Sequence, residues 1–281
     1  MRELVAFLTD YGTRDGFVAV CHGILARLAP HARVIDVSHD VPPQDVRHGA
    51  TVLARVAPYL PAAIYVGVVD PGVGSRRRGV AIVAGRDGAL GSSVLIGPDN
   101  GLLIPAAERL GGIVRAYELT NRNLWLPEPD QTFHGRDVFM PVAGHLAAGL
   151  DVAAVGDVVP TEELVRLATP RCERADDGLI CEVTYVDRFG NVQLAGGRAE
   201  LDDLERLATQ GELDVRAQDV TTPGRIGRTF ADVGEAELLV YLDSDRALAL
   251  AVNCGDAARR LGVRTGDVVR LARRGAPTRR S

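Results

Sequence analysis

The stretch V-G-V-V-D-P-G-V-G-S-R-R-R-G, from Val66 to Gly79, decides how the rest of the chain is read. A short apolar run, Ile64 to Val69, ends on Asp70, and a glycine-rich turn then delivers three consecutive arginines, Arg76 to Arg78. An acid at the end of a buried strand, followed by a tight loop and guanidinium groups, predicts a site at the carboxyl edge of a sheet. Open α/β sheets place their ligands there.

Working outward, residues 3–9 read as a buried strand ending at Asp10, and 16–29 as a helix with Val20, Ile24 and Leu28 at four-residue spacing, stopped by Pro30. R-V-I-D-V-S (33–38) is a second strand, and a helix follows with Asp45 near its start. With the strand at 64–69, this alternation predicts a parallel α/β sheet. Strands at 79–84 and 93–97, joined by a turn around Asp87-Gly88, extend it. P-D-N-G-L-L-I (98–104) turns into a helix running to about Leu110, and 114–119 is a further strand. The proline-rich segment Pro127 to Phe139 reads as an ordered surface loop, and Met140 to Ala148 as a helix.

From about residue 176 the pattern changes to strands at 178–187, 237–243, 247–253 and 267–272, with helix only near 201–208 and 257–261. Short strands with polar turns predict a small β-barrel or sandwich. The chain therefore divides into an N-terminal α/β domain over 1–165, with a mostly parallel sheet, and a smaller C-terminal β domain over 176–275. The Arg-rich tail at 273–281 reads as frayed.

Composition narrows the function classes. The 281 residues are 46% apolar and 25% charged, ordinary for a globular protein. No apolar run approaches the ~20 residues that span a bilayer, and M-R-E-L-V-A-F-L-T-D meets charge too early for a signal peptide, so the expected location is cytoplasmic. All 32 basic residues are arginine, which removes lysine-based Schiff-base and P-loop chemistry. A net charge of −5 argues against nucleic acid as a partner. Cys21, Cys172, Cys181 and Cys254 form no C-x-x-C pair and read as free, buried thiols; Cys172 and Cys181 are the two that a bridge would join.

Three strand ends present polar groups: Asp10, Asp36-Val37-Ser38-His39, and Asp70. Singly, each is ordinary capping or turn chemistry; together, on parallel strands, they converge on one edge. T-F-H-G-R-D (132–137) places His134 in a loop beside a glycine, suited to accepting or positioning a proton, while Arg136-Asp137 reads as a local ion pair. P-D-N-G (98–101) is good turn chemistry in its own right. His39 and His48, with Asp36, Asp40 and Asp45, crowd one segment but match no compact ligand motif, so no metal is expected. In the second domain, Asp187, Phe189 and Asn191 alternate in Y-V-D-R-F-G-N-V, which on an extended segment puts an acid, an aromatic ring and an amide on one side. Phe230 in R-T-F-A-D-V-G offers a second ring.

F-L-T-D-Y-G-T, V-D-P-G-V-G-S-x-R-R, G-P-D-N-G-L-L, T-F-H-G-R-D, D-R-F-G-N and T-F-A-D-V-G occur in this order almost end to end. In this the chain resembles the S-adenosyl-L-methionine (SAM) hydroxide adenosyltransferases, or SAM hydrolases, relatives of the SAM-dependent fluorinase and chlorinase. The resemblance implies an N-terminal α/β domain, a C-terminal β-barrel, and a trimer whose sites lie between the N-domain of one subunit and the C-domain of the next. It implies that Asp70, Arg77 and His134 order a water or hydroxide, Arg77 being chosen among the three arginines by its spacing of seven from Asp70. Asp10 would hold the ribose hydroxyls, Asp187 and Ser244 the methionine end, Phe189 and Phe230 the adenine faces, and Asn191 its edge. No cofactor is implied, SAM being the substrate.

The halogenases carry tyrosine where Asp70 stands and no histidine at the His134 position, and the fluorinase has serine where Gly135 stands. Two fluorinase contacts do not transfer: its ligand-side tryptophan corresponds to Gln44, and the arginine after its Y-L-x-S run to Asp245. The implied reaction is attack of water on C5′ of SAM, giving adenosine and L-methionine. A non-catalytic SAM or adenosine sensor, a SAM-dependent halogenase, and a metal-dependent hydrolase using His39 and His48 are the competing readings.

Overall fold

Strand β1 (Leu4–Thr9) shows why this chain builds a covered sheet. Leu4, Ala6 and Leu8 enter one hydrophobic cluster while Val5 and Phe7 enter another. A strand buried on both faces belongs in the middle of a sheet with helices above and below. The computed structural model describes residues 3–85 and 91–275. They fall into two compact units, Met1–Leu167 and Ala168–Ser281; the expected turn at Asp87-Gly88 and the end of the Arg-rich tail lie outside the described residues.

After β1 the first unit runs through α1 (Phe17–Leu28), β2 (Arg33–Ser38), α2 (Val46–Val56), β3 (Ile64–Val68), β4 (Gly79–Ala84), β5 (Ser93–Pro98), α3 (Ile104–Arg109), β6 (Ile113–Glu118), α4 (Met140–Ala147) and β7 (Val158–Val159). The sheet order is β2-β1-β3-β5-β4-β6-β7. Neighbours β2, β1, β3 and β5 pair in parallel, whereas β4 runs antiparallel to both its neighbours and β7 antiparallel to β6. The sheet is mostly parallel, as expected. Helices α2 and α3 pack together over one face, and α1 and α4 over the other. The parallel run brings the carboxyl ends of β2, β1 and β3 side by side, so residues near 36–39, Asp10 and Asp70 share one edge.

The second unit comprises β8 (Cys172–Ala175), β9 (Gly178–Val186), β10 (Val192–Leu194), α5 (Arg198–Leu207), β11 (Glu212–Ala217), β12 (Val220–Ile226), β13 (Leu238–Leu242), β14 (Leu248–Val252), α6 (Ala257–Leu261) and β15 (Val268–Arg273). Its order is β10-β14-β13-β12-β11-β15-β9-β8, and β10 also pairs with β9. That pairing closes a seven-stranded barrel with β8 added outside it, which decides between barrel and sandwich. β8, β10, β11 and β12 escape the sequence reading. β10 has three residues, and Pro223-Gly224 inside β12 reads as a breaker. Cys172 faces Cys181 across β8 and β9 with the sulfurs 2.8 Å apart, both free thiols. Cys254 is exposed, unlike the buried thiol expected.

Candidate active site

Strand β3 runs out of core at Val69, and Asp70 follows with Pro71-Gly72 turning the chain. The end of this strand is pinned from the neighbouring turn, where the Asn100 side-chain amide donates to the Val69 carbonyl at 2.8 Å. Beyond Asp70 the loop closes on itself: the Val73 N–H donates to the Asp70 carbonyl at 3.2 Å, and the Ser75 N–H to that of Gly72 at 3.1 Å. Gly74 sits at φ +77°, and a Cβ there would lie 2.7 Å from the Gln131 carbonyl oxygen. Only a glycine lets the arginine loop lie flat against the 131–134 segment. This close approach brings His134 to Arg77.

Each consecutive arginine meets a different fate. Arg76 is exposed. Arg78 donates through Nε to Asp99 at 3.0 Å and through its other nitrogens to Glu163. Asp99, almost fully buried, also accepts the Val165 N–H at 2.9 Å, so the P-D-N-G turn clamps the 163–165 segment. Arg77 turns inward. Its Nε donates to both Asp70 oxygens at 3.0 Å, and its Nη2 to Asp70 Oδ2. The same Nη2 lies 2.8 Å from His134 Nδ1, and the guanidinium carbon stands 5.2 Å from the centre of the Phe139 ring. The side chains of Asp70 and Arg77 are only 6% and 13% exposed, so this pair is held largely out of water.

The contact defines the state of His134. A guanidinium has donors only, so Nδ1 must be a lone-pair acceptor and a neutral ring carries its proton on Nε2. Burial, with the neighbouring Arg77 charge, holds this ring below the ordinary histidine value and keeps it neutral. The segment expected to be a surface loop through Phe139 instead becomes a buried π-helical turn, Gly135–Phe139, running straight into α4. Its Asp137 is buried, accepts the Asp130 N–H at 2.8 Å and pairs with Arg136 at 2.5 Å, so the polar pair is satisfied inside. Such wide turns recur at functional sites; here it presents His134 at its first corner.

Tyr11 joins this cluster with no role in the sequence reading, and Gly135 figures there only as the position where the fluorinase has serine. A Cβ on Gly135 would fall 2.1 Å from the Tyr11 hydroxyl oxygen, so the phenol occupies the room that a side chain at 135 would need. Burial raises the Tyr11 phenol well above its ordinary value, and Cys21, Asp10 and Asp70 push it the same way. Its ring is braced by Phe133 at 5.6 Å and Phe17 at 5.9 Å. The adjacency of Tyr11 to Asp10, and of Gly135 to His134, is the signal that would have found them.

On the same sheet edge, Asp10 accepts the Gln44 N–H at 2.8 Å, and Gln44 adopts φ 67° to reach it. His39 Nε2 meets Asp36 at 2.9 Å, as does that of His22. Asp45 caps α2 by accepting the His48 N–H at 2.9 Å.

In the second unit the stretch 187–191 is a tight turn and not the extended segment expected. Asp187 Oδ1 accepts the N–H groups of Phe189 and Asn191 at 2.9 Å, and its Oδ2 accepts the Asn191 side-chain amide at 2.8 Å. Asp187 and Asn191 therefore face each other, because the carboxylate satisfies a turn that strand pairing cannot. Phe189 stands 70% exposed. Phe230 is also exposed, its ring 5.9 Å from that of Tyr241, and Ser244 is exposed in the β13–β14 turn.

Against known proteins, the model described as SAM hydroxide adenosyltransferase N-terminal domain matches residues 5–156, and that described as its C-terminal domain matches 181–270. The chain belongs to the SAM hydroxide adenosyltransferase family. Among family relatives, the "(R)-S-adenosyl-L-methionine hydrolase" of Salinispora tropica is 52% identical over 268 residues, covering 95% of this chain and 97% of that one. A "Fluorinase" from an Actinoplanes species is 30% identical over 292 residues, covering 96% and 97%. The crystal structure of an "uncharacterized conserved protein" from Thermotoga maritima is 34% identical and superposes with a TM-score of 0.84, covering 96% of this chain and 100% of that one. Among its described residues the chain has no helix long and apolar enough to cross a membrane.

Proposed function

We infer that this chain hydrolyses S-adenosyl-L-methionine to adenosine and L-methionine by in-line attack of water on C5′. The single observation that carries the mechanism is the buried Asp70–Arg77–His134 cluster at the end of β3. The sulfonium leaves as a neutral thioether and needs no general acid, so the chemical difficulty lies with the nucleophile. Water must be aligned, stripped of other partners and relieved of a proton.

The three groups divide that work. Arg77 already donates to His134 Nδ1, which puts the neutral ring's proton on Nε2 as the donor that would fix the water oxygen. The base is then Asp70, whose carboxylate oxygens keep lone pairs beyond those used by Arg77. The Arg77 charge stabilises the developing hydroxide in a site sheltered from solvent. A carboxylate at this position repels a halide, and the hydrolase relative is much closer in identity than the fluorinase, so hydrolysis is favoured over halogenation. Asp10 is assigned to the ribose hydroxyls; Asp187 and Ser244 to the methionine end; Phe189, Phe230 and Asn191 to the adenine. The assembly is a homotrimer in which one subunit's N-terminal unit and the next subunit's C-terminal unit share each site. The reaction runs in the cytoplasm with no cofactor.

Chromatography of products after incubation with SAM tests the reading. Adenosine and methionine are expected, with solvent oxygen from labelled water in the adenosine and no halogenated nucleoside when chloride or fluoride is added. Asp70→Ala and His134→Ala should each lower turnover by about 10²- to 10⁴-fold, the usual range for a group that moves or positions a proton. Unchanged adenosine production in both variants would overturn the mechanism, and tight SAM binding without turnover by the intact protein would favour a sensor.

A further inference from the structure

On the edge strand of the first unit's sheet, two strands away from Asp70, three potential ligand atoms meet that the proposed reaction does not use. His22 comes from the middle of α1, Asp36 from β2, and His39 from the residue after β2. Both imidazole Nε2 atoms point at the same carboxylate oxygen, Asp36 Oδ1, each at 2.9 Å. All three ligand atoms lie within 4.8 Å of one another. We propose that His22, Asp36 and His39 form a binding site for a divalent first-row transition ion such as zinc, separate from the hydrolytic centre.

The donor set fits such an ion. Two imidazoles and one carboxylate are borderline ligands, suited to zinc, cobalt or nickel and not to magnesium or calcium. Ligands at ~2.0–2.2 Å from a tetrahedral ion stand roughly 3.3–3.5 Å apart. The two 2.9 Å separations therefore need only a few tenths of an ångström of opening when the ion replaces the shared proton contacts.

The site is also pre-oriented from behind. His39 is only 6% exposed, and its Nδ1 lies 2.9 Å from the hydroxyl of Thr9, which is fully buried. That hydroxyl can donate to Nδ1 when Nε2 carries the proton, or accept from Nδ1–H when Nε2 binds an ion. Either tautomer is thus satisfied, and the second fixes the ring as outer-shell partners of ligating histidines do. The Phe7 ring packs against both imidazoles, at 4.9 Å from His39 and 6.0 Å from His22. In front, His22 and Asp36 are 35% and 43% exposed on their side chains, leaving solvent to complete the coordination.

Along the sheet, β1 separates β2 from β3, so the site stands ~10 Å from the β3 edge, at two inter-strand spacings. An ion here ties α1 to the edge strand.

The test uses the full chain stripped with a chelator, titrated with zinc by calorimetry and with cobalt by visible absorption. One saturable ion per chain is expected, with cobalt bands of nitrogen–oxygen coordination and a zinc-dependent rise in the thermal midpoint. His22→Ala, a half-exposed helix position, should weaken binding at least ~10-fold while keeping the circular dichroism of the parent. Asp36→Asn keeps a hydrogen-bond acceptor for both rings but loses the charge, and should do the same. SAM turnover should survive both chelation and His22→Ala. No saturable binding by the parent chain, or His22→Ala and Asp36→Asn binding as tightly as the parent, overturns the site. Turnover lost on chelation overturns its separation from the reaction.

Discussion

His134 is neutral because Arg77 leaves it no other choice at Nδ1 and because burial penalises the charged ring. Its folded pKa lies below the ordinary value of about 6.5. The acid limb of kcat/KM should therefore fall only below pH ~6.5, where a solvent-exposed histidine would already be charged. The sign for stability is the same. The unfolded ring takes up a proton near pH 6.5 that the folded ring refuses, so stability is fully present above that pH and declines as pH falls through the folded value. A pH profile of kcat/KM with its acid limb at or above 6.5 would contradict this account. The contact between the Tyr11 hydroxyl and the empty side of Gly135 makes a second residue-scale prediction. Gly135→Ala should destabilise the fold by about 1–3 kcal/mol through overpacking. Most of that cost should vanish in the Tyr11→Phe background, since removing the hydroxyl leaves the nearest ring atom 3.1 Å away. A double-mutant cycle by urea unfolding measures the coupling, and additive costs would mean that the two positions do not share this space.

At the scale of elements, two turns hold the cluster, and their chemistry differs. The arginine loop needs Gly74 for both its left-handed φ and its contact with the Gln131 carbonyl. The P-D-N-G turn holds Val69 through Asn100 and the 163–165 segment through Asp99. Asp99→Ala leaves the Arg78 guanidinium and the Val165 N–H short of an acceptor and should cost about 1–3 kcal/mol in denaturant unfolding. Arg76→Ala, on an exposed neighbour, should stay within about 0.5 kcal/mol of the parent and keep its turnover. The turn's local signature was legible, because Pro-Asp-Asn-Gly specifies its own geometry. Its service as a clamp was not, because Arg78 and Val165 reach Asp99 only once the chain is folded. The π-helical turn after His134 escaped for a related reason. Q-T-F-H-G-R-D is polar and reads as solvated, yet Arg136 neutralises Asp137 where the turn is buried.

At the scale of the whole molecule, each unit has its own core, two clusters on either side of the sheet in the first and one inside the barrel in the second. The proposed trimer makes a prediction that neither unit makes alone. Asp70→Ala damages the N-terminal half of a shared site and Asp187→Ala the C-terminal half. Chains carrying either change should be weakly active by themselves. Co-refolded at equal amounts into a head-to-tail ring, they should regain activity at roughly a quarter of the sites, the fraction that random assortment supplies with two intact halves. Sedimentation should report three chains per particle. No recovery in mixed particles would place both halves of the site in a single chain.

The sequence by itself determined the alternation of strands and helices, the edge where Asp10, Asp36 and Asp70 gather, and the motif series that marks the family. These rest on local periodicity and on residue types whose chemistry is independent of context. Only the tertiary structure decided that His134 is an acceptor at Nδ1, that Asp187 and Asn191 close a turn, and where Arg76 and Arg78 go while Arg77 meets Asp70. Each of these is a contact between segments distant in sequence, or a backbone path chosen by packing. In V-D-P-G-V-G-S-R-R-R-G three adjacent guanidinium groups are chemically alike, and what separates them is the room beside Gly74 and the partner that folding brings to each.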